Sequence, residues 1–64
     1  MQRTIKVNDK KIKIVTNPRT SMGNLCGYRT KIYCGGVVWT GDYFTLNAQK
    51  AMDKAYVKWV KERV

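Results

Sequence analysis

The chain has no histidine and only four acidic residues, Asp9, Asp42, Asp53 and Glu62, spread over 64 positions. Without histidine it lacks the side chain whose ordinary pKa lies nearest neutrality, the usual general acid or base at pH 7. The carboxylates are far apart in sequence, with no local pairing. Cysteine is also scarce. Cys26 and Cys34 form no CxxC unit, and no histidine is present to complete a tetrahedral metal site. Neither a metal nor a cofactor is expected. Cys26, near Arg29 in a glycine-flanked segment, is a candidate activated thiol, but no base accompanies it, so the chain reads as non-enzymatic. No stretch approaches the ~18–20 apolar residues of a membrane span, and no membrane partner is expected. Residues 1–16 alternate charged and apolar positions, without the continuous apolar run of a secretory signal. The expected setting is therefore cytoplasmic, bacterial or host cytosol, with both thiols reduced. Beginning at Met1 without a tag, the sequence is taken as a complete small protein.

What the chain has in excess is positive charge. Thirteen Lys or Arg against four acids give +9, carried by nine lysines and four arginines. At 44% apolar with seven aromatics it is too hydrophobic for a disordered tail. One small domain is the expectation, with a thin core that needs a tightly covered sheet. A surplus of this size steers the chain toward acidic partners.

Residues 3–7 and 11–14 alternate β-branched with polar residues, the pattern of half-buried strands, and Asn8-Asp9 supplies a turn, giving a hairpin over 3–15. Two registers are open: a two-residue loop pairs Ile5 with Ile12, and a four-residue loop pairs Val7 with Ile12 and Ile5 with Ile14. In either, Lys6 faces another lysine, Lys11 or Lys13, which is unfavourable unless an anion covers the pair. Residues 17–27 carry Pro18, Gly23, Gly27, two asparagines and a serine, and read as a long loop suited to binding. A second hairpin over 28–43 turns on Gly35-Gly36. It places Ile32 opposite Trp39 on a core face. Tyr33 with Val38, Lys31 with Thr40, and Arg29 with Asp42 fall on the other. Over 46–63 the period becomes helical, with Thr45 or Asn47 as N-cap and Ala48, Ala51, Met52, Ala55 and Trp59 in one stripe. The fold class is α+β: an antiparallel sheet of three to four strands, in two hairpins, packed on one C-terminal helix.

The candidate site is the outer face of this sheet, with Lys6, Lys11, Lys13, Arg29, Lys31 and Tyr33 on it and Arg19 in the adjoining loop. Lysine and arginine neutralise phosphates, and a tyrosine ring offers a stacking surface for a base. Lys50, Lys54, Lys58 and Lys61 form a second basic track on the helix flank. With nine lysines to four arginines, phosphate contact outweighs the bidentate base reading that arginine performs.

Residues 27–56 run Gly-Tyr-Arg-Thr-Lys-Ile-Tyr, a glycine turn, Val-Val-Trp-Thr-Gly-Asp-Tyr-Phe-Thr, then an alanine-bearing helix. That order resembles the AP2 and integrase arm-binding type of DNA-binding module, in which three antiparallel strands are backed by one helix. The resemblance covers about half of the chain. It implies that sheet residues enter a DNA groove, with Arg29, Lys31 and Tyr33 on the reading strand and Gly41–Thr45 at the strand-to-helix corner.

Two functions follow as expectations. One is a nucleic-acid-binding module, for DNA ahead of RNA, as an accessory or regulatory protein of a phage or mobile element. The other is a small phage-type inhibitor or adaptor that docks on an acidic surface of a host protein. The first strand also offers an edge through which a second copy can pair to make a homodimer.

Overall fold

The first hairpin closes on two residues. Asn8 and Asp9 both take positive φ, 50° and 65°, the geometry of a tight turn that matches strand twist. This selects the shorter of the two registers, with Ile5 opposite Ile12 and Lys6 opposite Lys11. The chain is described by a computed structural model over residues 1–63, with the backbone alone at residue 63. Its elements are β1 (Gln2–Val7), β2 (Lys10–Ser21), β3 (Asn24–Cys34), β4 (Val37–Tyr43) and α1 (Ala48–Arg63). The strands form one antiparallel sheet in the order β1-β2-β3-β4. The protein is thus a small α+β fold, with the helix packed on one face of the sheet.

The segment 17–27 is not a loop. β2 runs on to Ser21 and β3 begins at Asn24, joined by a turn at Met22 and Gly23 with φ of 53° and 80°. Each residue that signals a loop has a place in this ribbon. The Thr16 amide donates to the Met1 carbonyl at 2.8 Å, so the Pro18 nitrogen, two residues on, faces the same side, past the end of β1. No ladder bond is lost there. Arg19 pairs with Gly27 but Thr20 with Leu25, leaving Cys26 as the extra residue of a β-bulge. A Cβ on Gly27 would collide with the Tyr43 carbonyl oxygen and lie 3.1 Å from Phe44 Cα, so glycine lets the end of β4 pass close. The result is a two-stranded arm, and the molecule measures 41 × 18 × 18 Å.

The core lies between sheet and helix. Ile12, Ile14, Ile32 and Cys34 meet Ala51, Met52, Ala55 and Trp59, all buried. The alanines bring α1 close to the strands, as its stripe predicts. Thr16 and Thr30, paired across β2 and β3, are also buried, and their hydroxyls bond each other at 3.0 Å. Trp39 lies over Gly41, where an added Cβ would sit 2.6 Å from the ring, and its Nε1–H donates to Glu62 at 2.6 Å. Burial, with a smaller contribution from Glu62, raises the pKa of the Tyr43 phenol above its usual 10.0. Of the two expected caps, Asn47 takes the role: its Oδ1 accepts from the Lys50 amide at 3.2 Å. The helix accordingly starts at Ala48, two residues later than its pattern suggests.

Trp59 and Val60 border a recess shared with Val7, Asn8 and Lys10, and Met52 borders one with Arg3, Ile5 and Ile14. The C-terminal half of α1 therefore sits over the β1–β2 turn, and its N-terminus points toward the arm.

Candidate functional site

Strand alternation and the observed register place the sheet-face candidates together. Reading across the outer face, Lys6 faces Lys11, and the next row is Thr4, Lys13, Tyr33 and Val38. Then come Gln2, Val15, Lys31 and Thr40, followed by Asn17, Arg29 and Asp42. Arg19 closes the series opposite Gly27. From Lys11 to Arg19 this face spans roughly 27 Å at about 3.4 Å per residue. Tyr33 is 39% exposed, enough to present its ring to a ligand, and Lys13 and Lys31 are its neighbours.

The two arginines differ from the lysines. Arg29 donates to Asp42 through Nε at 2.8 Å and through Nη2 at 3.3 Å, a bidentate fork. Arg19 reaches the same carboxylate at 2.9 Å. The Arg29 hydrogen bond is the main cause of a lowered Asp42 pKa, and it raises that of Arg29 in turn. Two cations thus share one anion. Among the described residues both ion pairs are these, and none of the nine lysines joins one.

The facing of Arg29 and Asp42 is legible from the second hairpin. The role of Asp42 in holding Arg19 is not, because it depends on the arm that replaces the expected loop. Val15 and Val38, interleaved with the lysines, are further neighbours that the charge pattern alone does not single out.

The helix track is separate. Lys50, Lys54, Lys58 and Lys61 are all exposed, and the last three border a shallow groove of about 370 Å³ with Asp53 and Val57. They lie on the helix layer, whereas the sheet candidates lie on the opposite face, so the two tracks do not merge. Cys26 is exposed on the arm and Cys34 is buried at the end of β3, both free thiols. Among the described residues no helix is long and apolar enough to cross a membrane. No protein-family model, curated protein or solved structure matches the chain.

Proposed function

We propose that the chain is a non-enzymatic nucleic-acid-binding module that engages DNA through the outer face of its sheet, mainly by phosphate contacts. The observation that carries this reading is the grouping of Lys6, Lys11, Lys13 and Lys31, without acidic partners among the described residues, around an exposed Tyr33. Lys6 directly opposite Lys11 is an unfavourable cross-strand pair in isolation, and an anion lying over it reverses the sign. Neutralised phosphates release counterions, which supplies affinity without sequence reading, and Tyr33 adds a stacking surface. The resemblance of residues 27–56 to AP2 and integrase arm-binding modules points the same way, and an accessory or regulatory role in a phage or mobile element suits so small a basic chain.

The test is binding of labelled duplex and single-stranded DNA over a salt series. Neutralising about five phosphates gives a log–log slope of roughly −4 to −5 on duplex DNA. Replacing Lys13 and Lys31 with glutamine should weaken binding more than replacing Lys54 and Lys58. Absence of binding at low salt rejects the reading, and the reverse order of the two variants moves the site to the helix.

A second reading rests on the helix. Val57, exposed between Lys54, Lys58 and Lys61, gives that flank the mixed apolar and basic character of a surface for an acidic protein. An inhibitor or adaptor docking there would bind one stoichiometric host protein after nuclease treatment.

A further inference from the structure

We propose that the arm, with the Phe44 ridge at its root, is a self-association surface through which two copies join with their lysine-rich ends turned apart. The three most exposed large apolar side chains, Met22 at 99%, Phe44 at 89% and Leu46 at 71%, belong to the arm turn and to the connection leading into α1. Leu25, on β3 beside the turn, is a fourth, 40% exposed. Phe44 stands at the rim of a groove of about 380 Å³ lined by Arg19, Thr20, Ser21, Cys26, Gly27 and Tyr43. A cavity of about 150 Å³ accommodates a benzene-sized ring. Ridge and groove lie side by side on one copy, the arrangement a two-fold contact requires. Each Phe44 then enters the groove of the other copy, and the contact closes on itself.

Charge selects the occupant. Within residues 17–28 and 43–47 the only charged side chain is Arg19, and Asp42 holds it at 2.9 Å. A nucleic acid or an acidic protein meets no lysine in these segments, only the single surplus charge that Arg19 and Arg29 leave over Asp42. A lipid surface fits less well, since beyond Leu46 the start of α1 offers it Lys50 alone, whereas Lys6, Lys10 and Lys11 flank the β1–β2 turn at the opposite end. An end that is largely apolar and free of lysine matches another of its kind. Its segments 17–28 and 43–47 hold none of the nine lysines that make two chains of +9 repel. The Lys6, Lys10 and Lys11 turns of such a dimer lie at its two opposite ends, farther apart than the Debye length of about 8 Å at physiological salt. This inference does not rest on nucleic-acid binding.

Four apolar side chains per copy make a small interface, so the expected dissociation constant is micromolar and not nanomolar. Sedimentation equilibrium from about 5 µM to about 1 mM, at two salt concentrations, reads it directly. The expected result is a monomer–dimer equilibrium that higher salt strengthens and that Phe44→Ser with Leu46→Ser weakens at least about tenfold. Both positions are exposed, and a matching thermal melt confirms that the variant folds. Val37→Ser, at an equally apolar exposed site in the other turn region, leaves the equilibrium unchanged. A chain that sediments as a monomer throughout overturns the proposal. So does a dimer that the Phe44 and Leu46 changes leave intact, which would place the contact elsewhere, for example on the β1 edge.

Discussion

Replacing Asp42 with asparagine should strengthen nucleic-acid binding, although it removes the two ion pairs of the sheet face. Four lysines on that face, Lys6, Lys11, Lys13 and Lys31, are unpaired among the described residues, and Arg19 and Arg29 share one carboxylate. The face therefore presents about five net positive charges, and each phosphate neutralised contributes about −0.9 to the log–log slope, or roughly −4.5 in all. Loss of the carboxylate frees one further charge and takes the slope to about −5.4, which near 0.1 M salt tightens binding about eightfold. The substitution nearly conserves shape, and the amide oxygen can still accept from Arg29 Nε, now at 2.8 Å from Asp42, so the arm keeps its position. Fluorescence anisotropy with a labelled duplex between about 50 and 200 mM salt resolves both slope and affinity. A purely architectural role for Asp42 gives the opposite sign, because a loosened arm lowers affinity. An unchanged slope, or weaker binding with an unchanged melt, refutes the placement of the interface on this face.

Three further outcomes follow from the same structure. The Arg29 hydrogen bond keeps Asp42 ionised below its ordinary 3.8, so its stabilisation is present above that value and lost as pH falls through the lowered one. The stability difference between the native chain and Asp42→Asn should hold steady from neutrality to about pH 4 and shrink below it, as read by urea midpoints. Thr16→Val or Thr30→Val alone orphans a buried hydroxyl at a cost of about 1–3 kcal/mol, and the double substitution should cost clearly less than the sum. Additive losses in urea denaturation would show that the two hydroxyls are energetically independent. Gly41→Ala drives a Cβ to within 2.8 Å of two Trp39 ring atoms and should break the Trp39–Glu62 bond. The expected loss is about 1–3 kcal/mol with a changed tryptophan emission, and an unchanged melt would mean that the ring yields freely.

Alternation made the strand faces legible, because the period of two is a local property. Ile12, Ile14 and Ile32 fall inward, and Lys11, Lys13 and Lys31 outward, whatever the strands pair with. The helix stripe was legible for the same reason. The arm was not, since tolerance of Pro18 depends on where β1 ends, and the need for Gly27 depends on the passage of Tyr43 and Phe44. Both are non-local facts, and composition alone reads these residues as a loop. The buried Thr16–Thr30 pair is a related case. Its β-branched shape suits a strand interior, but its polar atoms are tolerable only because the partner lies directly across the ladder.

A two-stranded ribbon projecting from a sheet is ordinarily a template for fibril growth, because its flanking amides and carbonyls invite further strands. Here Pro18 removes an amide from one side of the ribbon, and the Cys26 bulge breaks the ladder rhythm on the other. Lateral stacking is disfavoured on both sides, while the tip stays open. Assembly through the arm is thereby steered away from strand addition, and a pair that has closed two arms on each other leaves no free arm on which further copies can add.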